Sequence, residues 1–220
     1  GPVLAVEGGR ISAVGAADRI THADFESALI HDLGEVLLLP GFVNAHAHFE
    51  LTCYRDLLPP GPLWPWLEQL IGLRRGAGAA EQETDAVRAA AAESLAAGVT
   101  TVGDISRTGL AATILKDSPL RKVCFIELIS GASQPPNDAA SLKRAFDEAT
   151  ADAEADRLLI GISPHTPYTV TRDDLSQAAT LAQTAAAPLT MHLLETREEA
   201  QWLTTGGGKL AALAVDRVTA

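Results

Sequence analysis

The first 40 residues contain short apolar runs separated by turn residues. Residues 3–6 and 11–15 flank a turn centred on Gly8 and Gly9, and residues 35–39 form a further apolar run. Short apolar runs on either side of a glycine-containing turn are typical of β-hairpins. We therefore predict a hairpin, followed by a strand at 35–39, as part of a small sheet.

After Pro40-Gly41, strand-like apolar runs alternate with alanine-rich stretches whose composition favours helix. Residues 42–48 predict a buried strand that opens this part of the chain. Further strands are predicted at 99–104, 122–129, 158–163 and 188–193, and helices at 81–97, 138–156 and 171–186. Strands and helices that alternate at this spacing predict a parallel sheet built from βαβ units.

An open doubly wound sheet and a closed barrel share this alternation. No glycine-rich phosphate loop follows the predicted strands, and polar residues cluster just after the strand ends, where a (β/α)8 barrel keeps its active site. The chain has room for about five strand–helix units, whereas a complete barrel has eight. We therefore predict an α/β fold of the (β/α)8 TIM-barrel type, of which about the first five units are present.

Composition and charge narrow the function classes. Hydrophobic residues make up 47% of the chain, which is enough to fill a core, and 17 basic against 28 acidic residues give a net charge of −11. This charge argues against binding to nucleic acid or to an anionic membrane.

Cys53 and Cys124 match neither a zinc ribbon nor a disulfide framework, so we expect buried thiols in a reducing cytoplasm. The apolar stretches are too short to cross a bilayer, and no targeting segment is recognisable.

Two histidines end the strand predicted at 42–48. Side chains two residues apart on a strand point to the same side, so His46 and His48 can converge on one ion. Imidazole is the commonest protein ligand for zinc and related metals. Taken alone, this short motif is explained equally well by a structural or accidental placement.

His192 and Glu195 follow the strand predicted at 188–193, and His165 follows the strand predicted at 158–163 within a loop stiffened by two prolines. A carboxylate beside an activated water is what general acid/base chemistry requires. A lone histidine–glutamate pair is more often a core histidine and a solvated glutamate. The case is stronger together, because four of the six histidines lie at predicted strand ends on one face.

The remaining polar residues have supporting or surface roles in this interpretation. His22 and His31 lie in the polar N-terminal region and are expected at the surface. Asp104 and Glu127 follow or lie within strands, and we expect them to support loops or metal ligands rather than to act directly.

The nine residues at 40–48, Pro-Gly-Phe-Val-Asn-Ala-His-Ala-His, closely resemble the opening motif of the amidohydrolase superfamily. Residues 7–15 resemble the small β-sandwich that precedes the barrel in these enzymes. Residues 163–170 and 192–196 are similar to the deaminase and chlorohydrolase branch, which includes cytosine, guanine, S-adenosylhomocysteine and aminofutalosine deaminases. The resemblance implies that residues 1–40 are part of the N-terminal β-sandwich and residues 41–220 the N-terminal portion of a metal-dependent barrel.

The resemblance also implies a site with one divalent metal, zinc in most members and iron in some. His46, His48 and His192 would be the ligands, Glu195 would move protons, and His165 would contact the substrate. Members of the family add a histidine from the sixth strand and an aspartate from the eighth, and no residue here matches either. We therefore expect a polypeptide of these 220 residues to be inactive on its own.

The implied reaction is hydrolytic deamination of a nucleobase, nucleoside or related small heterocycle, with Glu195 carrying a proton from water to a ring nitrogen. One alternative is hydrolysis of a cyclic amide or displacement of chloride from a triazine. An alternative of another class is an inactive fragment or a non-catalytic binding protein. Association into homo-oligomers is also compatible with the resemblance.

Residues 48–52, with Trp64 and Trp66 further on, are similar to the opening and the tryptophan-containing loop of aminofutalosine-deaminase-like proteins. In that interpretation Glu50 binds a polar group of the substrate, and Trp66 or Trp64 stacks on a ring. The alternative is that Glu50 makes a structural hydrogen bond and the tryptophans pack a loop onto the barrel.

Overall fold

The structure is a computed structural model that describes residues 1–20, 27–130, 137–151, 157–212 and 214. The chain divides into two units, Gly1–Pro40 and Gly41–Ala220. His22 lies outside the described residues.

The first unit contains the predicted hairpin. Strand β1 (Pro2–Glu7) pairs antiparallel with β2 (Arg10–Ala16). Gly8 and Gly9 form the turn with φ values of 56° and 74°, in the left-handed region where glycine has no steric cost. The strand predicted at 35–39 is wrong, because this segment is exposed and pairs with no strand among the described residues. An apolar run forms a strand only when a partner completes its backbone hydrogen bonds.

The second unit is built on a four-stranded parallel sheet in the order β3-β4-β5-β6. Its strands are β3 (Phe42–Ala47), β4 (Val99–Ser106), β5 (Arg121–Leu128) and β6 (Leu158–Pro164). The helices are α1 (Leu63–Arg74), α2 (Ala79–Ala96), α3 (Leu110–Leu115), α4 (Ala139–Ala151), α5 (Arg172–Thr184) and α6 (Arg197–Thr205), with short 3₁₀ turns at Phe49–Tyr54 and Lys209–Ala212. Within the described ranges no helix is both long and apolar enough to span a bilayer.

The predicted alternation is confirmed for the middle of the chain. The strands at 99–104, 122–129 and 158–163 and the helices at 81–97 and 171–186 are all present within a few residues. The helix predicted at 138–156 is seen as α4, and residues 152–156 lie outside the described part of the chain. Helix α5 begins with a side-chain cap, since the Thr171 hydroxyl accepts a hydrogen bond from the Asp174 backbone N–H.

The two outer strands differ from the prediction. The strand predicted as buried at 42–48 is an edge strand, with Phe42 and Val43 58% and 67% exposed. The strand predicted at 188–193 is reduced to a single parallel bridge between Ile162 and Leu189. Both segments lie at the margins of the described sheet, so each has at most one neighbour to cover its apolar side chains and complete its backbone hydrogen bonds.

The core lies between one face of the sheet and helices α2 to α5. Buried strand residues such as Cys124 and Ile126 pack against buried helix residues such as Val87 and Leu142. Cys124 is therefore a buried thiol as predicted, whereas Cys53 is only half-buried. Because strand residues alternate between the two faces, Phe125 and Glu127 point to the other face of the sheet.

That other face is shaped by two glycines. A Cβ built on Gly161 would lie 2.4 Å from Cδ1 of Phe125, and one built on Gly103 would lie 2.5 Å from the Ala45 carbonyl oxygen. The Phe125 ring thus fills the space that side chains at these two positions would otherwise occupy. Glu127 lies two residues further along β5, toward the carboxyl end of the sheet.

We expect Gly103→Ala to lower the free energy of unfolding by about 1–3 kcal/mol, because the clash is with backbone that cannot move aside. Gly72→Ala is the matched control: nothing lies within 4 Å of a Cβ at this exposed position in α1, and alanine favours helix. Urea unfolding measures both. Equal stability of the two variants would contradict the packing described for the sheet.

Candidate active site

Three histidines meet at the carboxyl end of the sheet. His46 ends β3, His48 follows it directly, and His192 comes after the extended segment beside β6. Their ring centroids are 4.9–5.3 Å apart, and one nitrogen from each ring lies within 4.8 Å of the others. The sequence prediction that these residues converge is thus matched by the geometry.

Hydrogen bonds orient two of these rings toward each other. The Nδ1–H of His192 donates to the His165 carbonyl oxygen at 3.2 Å, which leaves the Nε2 of His192 with a free lone pair. The His48 ring makes its own hydrogen bond to the backbone of Ile105. Its Nε2 lies 3.2 Å from the Nε2 of His192. Two nitrogens therefore face each other across a gap that a proton or a cation can bridge.

The electrostatics of the cluster favour neutral imidazoles at His46 and His48. Burial, reinforced by the neighbouring His192 and His46, lowers the pKa of His48 to about 4. Burial and His192 also lower the pKa of His46, and the Glu195 carboxylate opposes this shift. Neutral imidazoles with lone pairs turned inward are the form that binds metal ions.

The spacing fits a divalent cation. With metal–nitrogen bonds of about 2.0–2.1 Å, tetrahedral geometry places two ligand nitrogens about 3.3 Å apart. The 3.2 Å between the Nε2 atoms of His48 and His192 agrees with this distance. Three nitrogen donors are typical of catalytic zinc sites, in which a further position is left for water or substrate.

His165 lies beside the cluster, with its ring centroid 5.1 Å from that of His192. Its Nδ1 pairs with the Thr169 hydroxyl at 2.8 Å, and burial lowers its pKa to about 3. The backbone of His165 holds the site together, since its N–H donates to the Leu128 carbonyl and its carbonyl accepts from the His192 N–H, both at 2.9 Å. A neutral imidazole with a second nitrogen available can hydrogen-bond a polar ligand.

Glu195 is exposed and stands on a tight turn after His192. Leu194 adopts a left-handed conformation with φ of 59°, and the Glu195 N–H donates to the carboxylate of the buried Glu199 at 2.9 Å. The Thr196 hydroxyl caps α6 by accepting from the Glu199 N–H at 3.1 Å. The Glu195 carboxylate acts on His46, where it raises the pKa against the effect of burial.

Glu50 is more deeply buried than a residue at the mouth of a site. It is 2% exposed, its Oε2 pairs with the Arg74 guanidinium at 3.0 Å, and its Oε1 accepts from the Ser106 hydroxyl. Arg74 also pairs with Glu83 at 2.7 Å, so one cation joins the turn after His48 to α1 and α2. This network favours the alternative in which Glu50 makes structural hydrogen bonds. A role of Glu50 in substrate binding stays a prediction.

The tryptophan-containing segment is a helix rather than a loop. Trp64 and Trp66 lie in the first turn of α1, where the resemblance had indicated a loop, and Pro65 lies between them. Proline is tolerated in a first helical turn, where backbone N–H groups have no helical partner. Trp64 packs against Tyr168 with ring centroids 5.7 Å apart, and Trp66 is half-buried. A contact of Trp66 with substrate likewise stays a prediction.

Two buried acids also lie at this end of the sheet. Asp104 Oδ1 accepts from the Phe49 N–H at 2.7 Å, while burial raises the pKa of Asp104 to about 7. Burial also raises the pKa of Glu127 to about 7, and one of its oxygens lies within 4.8 Å of nitrogens of His165 and His192. The sequence analysis gave both acids supporting roles. Glu127 lies on the face of the sheet that carries the histidines. The alternation of side chains along β5, in which Cys124 and Ile126 face the core, could have indicated this.

Curated relatives of known activity are similar to this chain. An adenosine deaminase of Helicobacter pylori is 32% identical over 172 residues, covering 78% of this chain and 41% of the relative. A 5-methylthioadenosine/S-adenosylhomocysteine deaminase of Nitratidesulfovibrio vulgaris is 30% identical over 206 residues, covering 89% and 45%. The chain thus spans less than half the length of these relatives.

The crystal structure of Helicobacter pylori aminofutalosine deaminase in complex with methylthio-coformycin superposes with a TM-score of 0.78 at 27% identity, covering 91% of this chain and 48% of that one. Residues 37–213 match the family described as Amidohydrolase family, a stretch that includes the parallel sheet, the histidine cluster and Glu195. These similarities indicate a TIM-barrel-like α/β fold and confirm the resemblance seen in the motifs. The chain belongs to the amidohydrolase family.

Proposed function

We propose that the product of the complete coding sequence is a metal-dependent hydrolase that deaminates a nucleobase, nucleoside or related small heterocycle. The observation that carries this proposal is the facing pair of Nε2 atoms of His48 and His192, 3.2 Å apart, with His46 beside them. The deaminase activities of the relatives in Helicobacter pylori and Nitratidesulfovibrio vulgaris support the reaction type.

His46, His48 and His192 would hold one divalent cation, for which the nitrogen donors favour zinc and also allow iron. Bound there, the cation would supply Lewis acidity that makes hydroxide available from water near neutral pH. The hydrogen bonds from His192 to the His165 carbonyl and from His48 to the backbone of Ile105 keep the ligand nitrogens free of protons.

Glu195 would act as the proton carrier. Its exposed carboxylate can take a proton from water and deliver it to a ring nitrogen of the substrate, while the hydroxide adds to the carbon that bears the amino group. The proton of the new hydroxyl group then passes to the amino group, the C–N bond breaks, and ammonia leaves. His165 would hydrogen-bond the heterocycle through the nitrogen that Thr169 does not occupy. Contacts from Glu50 and Trp66 to the substrate are part of this proposal, and they have less support because Glu50 is already engaged by Arg74 and Ser106.

The fold supports an assignment of the two units. We infer that Gly41–Ala220 is the N-terminal portion of a (β/α)8 barrel and Gly1–Pro40 part of the β-sandwich that precedes it. Exposed Phe42 and Val43 on the edge strand β3 are consistent with a sheet that continues in the complete protein. A cytoplasmic location and association into homo-oligomers are further proposals from the resemblance alone.

We expect the purified chain to bind close to one equivalent of zinc or iron, measured by plasma mass spectrometry. The His46→Ala/His48→Ala variant should lose this metal, because two of the three ligands are removed. His31→Ala, at an exposed position outside the cluster, is the matched control and should retain it. Equal metal content in both variants would rule out the three-histidine site.

In the product of the complete coding sequence, Glu195→Gln should reduce kcat for deamination of adenosine-type substrates by roughly 100-fold or more, because the amide cannot carry a proton. Metal content should be unchanged. Glu198→Gln, in the first turn of α6, controls for the loss of a nearby charge. Wild-type turnover in Glu195→Gln would remove Glu195 from the proposed role.

A further inference from the structure

Glu127 differs from the other buried carboxylates. Asp104 and Glu199 each have one unpaired oxygen but accept a hydrogen bond through the other, from the Phe49 N–H and the Glu195 N–H. Glu50 and Glu83 both pair with Arg74. The Glu127 side chain is 6% exposed, and its Oε1 is buried without a hydrogen-bond partner among the described residues. An unpaired buried acceptor destabilises the folded protein, so its presence calls for a reason outside the fold.

The position of Glu127 is tightly held. In the β5–β6 register it pairs with Ser163, whose hydroxyl is also buried without a partner in the described chain. The Glu127 carbonyl accepts from the Asn137 side chain at 3.0 Å, and the next residue, Leu128, accepts from the His165 N–H. The Glu127 carboxylate is thus fixed beside His165, on the face of the sheet that carries the histidine cluster.

A second cation is a poor explanation for this arrangement. Glu127, His165 and His192 each offer a ligand atom within 4.8 Å of the others. However, both ring nitrogens of His192 already have a neighbour. Nδ1 is hydrogen-bonded to the His165 carbonyl oxygen, and Nε2 faces the Nε2 of His48. An organic group that donates a hydrogen bond would satisfy Glu127 without displacing either contact.

The surrounding charge indicates what kind of group this is. Glu50 and Glu195 add negative potential at Glu127, while Arg74 and Arg107 offset part of it. Arg74 is bound by Glu50 and Glu83, so its charge is largely neutralised. A carboxylate or phosphate of a ligand would be repelled at this point, whereas an N–H, NH₂ or O–H group would be attracted.

We propose that Glu127 is a substrate-binding residue that accepts a hydrogen bond from an uncharged or cationic N–H or O–H donor of a nucleoside-type ligand, next to His165. This inference rests on the proposed function, because it assumes that the histidine cluster binds the same ligand. The inference gives Glu127 a direct contact with the ligand, whereas the sequence analysis expected it to support loops or metal ligands.

The test measures binding of coformycin, a nucleoside whose hydroxyl-bearing carbon mimics the tetrahedral carbon of hydrolytic deamination. It compares Glu127→Gln and Glu127→Met with the unsubstituted protein, all as products of the complete coding sequence. The Kd should rise roughly tenfold for the amide and roughly 100-fold for the apolar side chain of similar length. Metal content should be unchanged.

Thermal unfolding separates binding from a structural role. Both Glu127 variants should keep or raise the Tm, because they remove an unpaired buried acid. Glu83→Gln should lower the Tm, since it takes a partner from the half-buried Arg74, and the exposed Glu148→Gln should change neither Kd nor Tm. A drop in Tm for the Glu127 variants with unchanged Kd would make Glu127 structural and overturn the inference.

The remaining outcomes are also decisive. If the unsubstituted protein binds coformycin and the Glu127 variants bind it equally well, the inference fails and the proposed function stands. Loss of metal in the Glu127 variants would assign the residue to the metal site and overturn the ligand contact. If the unsubstituted protein binds no coformycin, a nucleoside is ruled out as the substrate in the proposed function, and the inference fails with it.

Discussion

The facing Nε2 atoms of His48 and His192 are the constraint around which the second unit is arranged. Two nitrogens 3.2 Å apart, each on a ring whose other side is hydrogen-bonded to backbone, repel unless a proton or cation lies between them. The fold brings them together from segments 144 residues apart in the chain. It does so because the carboxyl ends of parallel strands meet at one edge of a sheet, where residues distant in sequence become neighbours.

The polar contacts behind the histidines hold this arrangement in place. Asp104 fixes the backbone just after His48 through the Phe49 N–H, and Arg74 ties Glu50 to the two helices that follow. On the opposite side, the His165 backbone links β5 to His192 through three hydrogen bonds. The His48 and His192 rings are therefore positioned by groups on several elements, which limits their movement more than a single contact would.

Local sequence patterns predicted several helices and the inner strands of the sheet. They failed for two apolar runs whose structure depends on whether a neighbouring strand is available for pairing. Strands β4, β5 and β6 each lie beside strand neighbours and follow from their apolar runs, and α2 and α5 follow from composition. Residues 35–39 and 188–193 are equally apolar, yet a strand also needs a partner that the pattern does not specify. The histidines were found because a short motif carries them. The position of Glu127 beside the histidines was missed, because the sequence of an apolar run with one acid does not show which residues that acid contacts.

The distribution of unpaired buried groups argues that this end of the sheet is shaped for binding rather than for stability. Four buried carboxylate or hydroxyl oxygens lack a partner among the described residues. Glu127 Oε1 and Ser163 Oγ are neighbours on the face that carries the histidines, whereas Asp104 Oδ2 lies in register with Cys124 on the core side, and Glu199 Oε1 lies in α6. The core side of these strands otherwise packs apolar side chains against helices. A protein under selection for stability alone would pair or replace such groups. Two of these groups, Glu127 and Ser163, lie beside the histidines on strands whose other residues are well packed. A preorganised polar site has this property, because the scaffold holds polar groups whose hydrogen bonds are completed only when a ligand binds.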